Sequence, residues 1–162
     1  MSATIETALP FIRRTAVGQW RALGMPKGQP RARAFSRGGK AAVYDPGTAE
    51  GWKGCVAVAC QELEGRTLLQ PLAVHLTFYM PRPKSHYRTN GQLKDSAPVF
   101  LHDQKPDADN LAKAVLDALT VIRVWMDDDQ VCELQVRKHW EIPGEHAPGC
   151  SIRISELVEV ME

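Results

Sequence analysis

The chain has 162 residues, 44 % of them apolar, which suits one ordinary domain with a real hydrophobic core and no need of disulfides. No apolar run is long enough to cross a bilayer and the N-terminus lacks the apolar stretch of a secretory signal, so the expected location is the cytoplasm, with no membrane contact. The net charge of +1 hides a lopsided distribution: residues 1–44 carry eight Lys/Arg against one acid, Glu6, whereas 107–133 carry seven acids against Lys113 and Arg123. Basic segments attract phosphate, and crowded carboxylates repel it unless a cation intervenes, so the combination hints at a metal-dependent nuclease. A solvated basic tail on a neutral domain is the plainer alternative.

In chain order, residues 1–16 pattern weakly and read as a variable extension ahead of a domain over 17–162. Extended structure is expected from Val17 to Phe35. The run Arg31-Ala32-Arg33-Ala34-Phe35 alternates, which places Arg31 and Arg33 on one face of a strand. Ser36–Lys40 reads as a turn and Ala41–Tyr44 as a short returning strand, so this hairpin presents cations on a surface. A helix is expected after Pro46 and Thr48, because Trp52, Val56, Ala59, Cys60 and Leu63 recur at three- and four-residue steps before Gly65. Leu72–Met80 is the clearest strand, with Leu72, Val74, Leu76 and Phe78 on one face, and Pro81 and Pro83 end it.

Residues 81–105 hold three prolines and five Lys/Arg (Arg82, Lys84, Arg88, Lys94, Lys105), interleaved with His86 and Tyr87. So long a stretch without a convincing element is expected to be a mobile basic loop that touches nucleic acid, or else a surface loop with no partner. A second helix is expected from about Asp107 to Ile122, with Leu111, Val115, Ala118, Leu119 and Ile122 as its apolar face. The turn Asp127–Gln130, a strand from Val131 to about Trp140 and a last strand over Ser151–Val160 complete the chain. The class is α/β (α+β): a single domain with a mixed sheet and two main helices. Of the four cysteines, Cys55, Cys60 and Cys132 lie among apolar residues and are expected as buried thiols, with Cys150 in no metal-binding spacing.

The chemistry sits in Lys105-Pro106-Asp107-Ala108-Asp109-Asn110-Leu111-Ala112-Lys113. Residues i and i+2 share one side of an extended chain but diverge on a helix, so Asp107 and Asp109 can converge on a cation only where the helix has barely begun. Aspartate is a favoured N-cap, and the residue before a proline prefers extended geometry, which supports such a start. Magnesium wants several oxygen ligands, and one of Asp127, Asp128 and Asp129 can supply a third carboxylate if the chain folds back beside Leu72–Met80. Plainer readings exist for each group. Asp109, Lys113 and Asp117 are spaced as a salt-bridged helix face, Asp107 as an N-cap, and Asp127–Asp129 as a solvated turn.

The run Lys105–Gln130 resembles the core motif of the RusA family of Holliday-junction resolvases, the crossover junction endodeoxyribonucleases. The matching elements are Asp107, Asp109, Asn110, Leu111 and Lys113; Asp117-Ala118-Leu119; Trp125-Met126-Asp127-Asp128; and Gln130-Val131. The resemblance implies metal-ligand roles for Asp107, Asp109 and Asp128, with Asp127 auxiliary, and an essential catalytic role for Lys113. It implies a RusA-like homodimer that uses Mg²⁺, or Mn²⁺ in its place, and cuts four-way DNA junctions. Contacts to the DNA are expected from Lys27, Arg31, Arg33, Arg37, Arg82, Lys84, Arg88 and Lys105. The competing functions are a structure-selective nuclease for flaps or forks, and a non-catalytic DNA-binding protein with a structural metal site.

Overall fold

A computed structural model describes residues 11–30, 33–37, 40–44 and 49–160, with the backbone alone over 33–37 and 40–44. In chain order the elements are strands β1 (Phe11–Leu23), β2 (Arg33–Arg37) and β3 (Lys40–Tyr44), helix α1 (Glu50–Ala59), strand β4 (Leu72–Met80), helix α2 (Ala108–Val121), and strands β5 (Val131–Trp140) and β6 (Gly149–Val160). One sheet has the order β1-β6-β4-β5, and β2 and β3 pair separately as an antiparallel hairpin. In the sheet, β6 lies antiparallel to both β1 and β4, whereas β5 lies parallel to β4. The sheet is mixed and the class is α+β, as the order of periodic segments predicts.

A parallel neighbour requires a crossover, and α2 supplies it between β4 and β5. Leu72, Val74, Leu76 and Phe78 are at most 1 % exposed and form one core with Trp52 and Val56 of α1, Leu111, Val115 and Leu119 of α2, and Ile152 and Ile154 of β6. Each such side chain contributes about 1.5–3 kcal/mol by leaving water. This core accounts for both helices packing on the same face of the sheet. Among the described residues no helix covers the opposite face, which carries His75, Thr77, Gln135, Arg137, Ser151 and Arg153.

Three expectations need correction. The first strand begins at Phe11, so residues 11–16 are part of the sheet, paired with β6 from Val160 back to Ser155. A register shift between Ala16 and Gly18 and wide exposure at this sheet edge break the alternation that would have marked the strand. The stretch 81–105 is held in many places: Trp140 N–H donates to Phe100 O at 2.8 Å, His102 N–H to Lys138 O at 3.2 Å, and Arg88 N–H to Gln92 O at 2.7 Å. Cys132 is exposed near the start of edge strand β5, while Cys60 and Cys150 are buried. Burial pushes the Cys60 thiol up to about 12 and raises Cys150 as well, which keeps both thiols protonated.

Candidate functional site

Asp107 stands at the N-cap position of α2 with extended backbone (φ −69°, ψ 147°), and Asp109 lies in the first turn. The helix therefore begins between them, as a shared role requires. The Asp107 side chain does not cap the helix; it accepts from Lys105 Nζ, at 2.6 Å to Oδ1 and 2.7 Å to Oδ2. The Lys105–Pro106 peptide is cis. Behind this turn Lys138 of β5 donates to Gln104 O at 2.6 Å and Pro106 O at 2.7 Å, so the edge strand fixes where α2 starts. Partial burial lowers the Lys138 pKa, with Asp107 and Asp103 opposing that fall. Sequence reasoning missed Lys138, although its place in the alternation Leu134, Val136, Lys138 aims it at α2.

The chain returns to α2 through the turn Asp127–Gln130. Asp127 Oδ1 accepts from Asp129 N–H at 3.4 Å and Gln130 Oε1 accepts from Asp127 N–H at 3.4 Å, a reciprocal capping box, and Gln130 Oε1 also accepts from Met126 N–H at 2.9 Å. Gln130 Nε2 donates to Leu68 O at 2.8 Å, which ties the turn to the loop before β4. Asp127 thus organises the turn, and Asp128 is the residue turned toward the helix. Lys113 Nζ lies 3.0 Å from Asp128 Oδ2 and 3.0 Å from Asp117 Oδ1. These carboxylates raise the Lys113 pKa, led by the bond to Asp117, and keep the ammonium charged. Asp117, which the sequence offers as part of a helix face and of the motif but with no role of its own, is a partner of the proposed catalytic lysine.

Asp109 and Lys113 open onto a groove of about 400 Å³ between α2 and β5, walled by Ala112, Leu116, Leu134 and Val136. Leu134 is 44 % exposed along it. An open trough with an apolar wall and charged residues along one side suits a long substrate better than a small buried one.

The donors are all carboxylate oxygens, the chemistry a hard cation prefers, with no sulfur or imidazole among them. The grouping is less complete. Asp107 precedes Lys113 by six residues, about 9 Å of helix rise, and Asp128 docks at Lys113. Among the described residues no three His, Cys, Asp or Glu side chains converge as a metal-binding group. Asp107 and Asp128 are each neutralised by a lysine ammonium, Lys105 and Lys113 respectively.

The expected DNA contacts divide by location. Lys27 is exposed in a segment that lies against the start of α2, where Gln29 N–H donates to Asn110 O at 2.8 Å and a Cβ on Gly28 would meet Asn110 Cβ at 3.0 Å. Lys84 is exposed, Arg88 pairs with Asp95 at 3.1 Å, and Lys105 sits on Asp107. Arg31 and the side chains of Arg33 and Arg37 lie outside the described residues. Arg82 corrects the expectation. It is 8 % exposed, and its guanidinium donates to Glu141 O at 2.9 Å, Pro98 O at 2.5 Å and Val99 O at 2.9 Å. Those bonds make it an internal pin for the 81–105 stretch, not a surface cation.

Comparison with known proteins adds two findings. The family model described as Endodeoxyribonuclease RusA matches residues 24–155. The chain is also 32 % identical over 136 residues to a protein of Bacillus subtilis (strain 168) named Uncharacterized protein YqaN, covering 83 % of this chain and 92 % of that one. The matched span runs from the segment before Lys27 to the middle of β6 and contains both helices and the groove. RusA proteins are endodeoxyribonucleases that resolve Holliday junctions, and this chain belongs to the RusA family.

Proposed function

We propose that the protein is a Mg²⁺-dependent endonuclease that resolves four-way DNA junctions by paired nicks, with Asp107, Asp109 and Asp128 as metal ligands and Lys113 beside them. The observation that carries this reading is the convergence of Lys113 with Asp128, two motif residues from different elements, at the edge of an open groove that also holds Asp109. A bound Mg²⁺ would supply Lewis-acid activation of the phosphodiester, and Mn²⁺ has the same ligand preference. The Lys105 ammonium, now on Asp107, is the charge that such an ion would replace.

The chain's own residues have separable tasks. Lys113, kept charged by Asp117 and Asp128, stabilises negative charge on the phosphate as the bond to the leaving oxygen breaks. Lys138 fixes the turn that presents Asp107, and Gln130 fixes the turn that presents Asp128. Lys27, Lys84 and Lys105 offer charge to the DNA backbone without reading bases. The products are a 5′-phosphate and a 3′-hydroxyl. A junction has near two-fold symmetry and needs two matched cuts, which a C2 homodimer provides.

A substrate panel tests this directly. Purified protein is incubated with a four-way junction, a flap and a linear duplex, each with Mg²⁺ and with chelator. Symmetric nicks in the junction that require Mg²⁺, with far slower cutting of the other two, are expected. Preferred cutting of the flap would reassign the substrate, and junction binding without cutting in Mg²⁺ would remove the catalytic reading.

A further inference from the structure

The face of the sheet opposite the two helices carries a feature that the groove does not use. A pocket of about 150 Å³ lies across the middle strands, lined by Arg137, Arg153, Gln19, Gln135, Thr77 and Ser151 together with His75. Arginine has only donors, and the amides and hydroxyls can donate as well. Among the described residues Arg137, Gln135 and Gln19 hydrogen-bond to nothing through their side chains.

The Glu133 carboxylate, on the same strand face as Gln135 and Arg137, is already committed. Glu133 accepts from Arg14 Nη2 at 2.7 Å and lies 2.7 Å from His75 Nε2. Arg153 Nη2 lies 2.8 Å from His75 Nδ1. Because a guanidinium can only donate, Nδ1 must accept and Nε2–H must donate to Glu133, so His75 sits in one tautomer between them. This relay from β1 through β5 and β4 to β6 orients Arg153 and leaves its remaining N–H groups for the pocket. The pocket is thus rich in donors and positively charged, with no acid of its own.

We infer that this pocket is a second phosphate-binding site, which takes a backbone phosphate of the DNA arm leaving the groove around the β5 edge. The inference rests on the endonuclease reading above. Its geometric basis is the edge strand itself: Val136 lines the groove, and its neighbours Gln135 and Arg137 line the pocket on the other face. One strand therefore separates the two sites, and a branched substrate has an arm for each. A second copy of the chain is the poorer occupant, because stacking this face on itself sets guanidinium against guanidinium.

The test uses the full-length double variant Arg137→Gln, Arg153→Gln, with junction binding followed in chelator across a range of salt, and cutting followed in Mg²⁺. Arg13→Gln, on the opposite face of the far edge strand β1, is the charge control. The double variant should bind the junction about tenfold more weakly at moderate salt. Its plot of log affinity against log salt should flatten by roughly 1 to 2, since each duplex phosphate contact is worth about 0.9. Its cutting rate at saturating protein should match wild type, and the control should leave both quantities unchanged. Wild-type affinity and slope in the double variant, while the wild-type protein binds and cuts normally, would overturn this site alone. An equal flattening by Arg13→Gln would reduce it to general charge and overturn it too. An unchanged slope with a changed oligomeric state on sedimentation would assign the face to a second copy. A wild-type protein that binds no junction would overturn the endonuclease reading itself.

Discussion

Lys113 and Asp128 are 15 residues apart in sequence and 3.0 Å apart in space, Nζ to Oδ2. The parallel return of β5 beside β4 makes that contact, and Asp117 holds the same ammonium from one helical turn further on.

Lys113→Ala should separate chemistry from stability. The lysine side chain is 53 % exposed, so losing its two ion pairs should cost no more than about 1 kcal/mol. Junction cutting should fall by about two orders of magnitude or more, the scale of a lost charge-stabilising donor. A melting temperature near that of the wild type with little activity is the expected pair of results. A large drop in melting temperature would return Lys113 to a purely structural helix face.

Arg82→Ala should do the reverse. The carbonyls of Pro98, Val99 and Glu141 would lose the charged donor that the buried Arg82 supplies, a loss of about 2–4 kcal/mol in total. Trypsin should then cut faster at Lys84, Arg88 and Lys94, and the salt dependence of junction binding should keep its wild-type slope. A flattened slope with unchanged stability would put Arg82 on the DNA.

Glu133 gives a pH prediction. Arg14 first, and then His75, pull its carboxyl down to about 2 from an ordinary 4.5. A group whose folded pKa is depressed contributes stability that is complete above the ordinary value and is lost as pH falls toward the folded one. Urea midpoints should therefore fall between about pH 4.5 and about 2 more steeply for wild type than for Glu133→Gln. Parallel curves for the two proteins would show that this ion pair is not formed.

Periodicity made much of the fold legible. The bounds of β4 and the start of β5 follow from alternation and from the capping turn ahead of Val131, and the face of α2 follows from three- and four-residue spacing. The motif also singled out Asp128 and Lys113, each for its own role, and the crossover brings them together. Residues 11–16 were hidden because an edge strand with a register shift lacks clean alternation. The anchoring of 81–105 was hidden because Arg82 and Glu141 are 59 residues apart, and no local pattern records such a bond. The same holds for Lys138, whose partners are the carbonyls of Gln104 and Pro106.

The most direct measurement is the nicking of a labelled four-way junction by wild type in Mg²⁺, by wild type in chelator, and by Asp128→Asn in Mg²⁺, with junction binding measured alongside. The account predicts paired nicks with 5′-phosphate ends in the first reaction alone. It also predicts that Asp128→Asn binds the junction as tightly as wild type or more tightly, because the substitution removes negative charge that opposes phosphate. Near-wild-type nicking by Asp128→Asn, or nicking that survives the chelator, would contradict it.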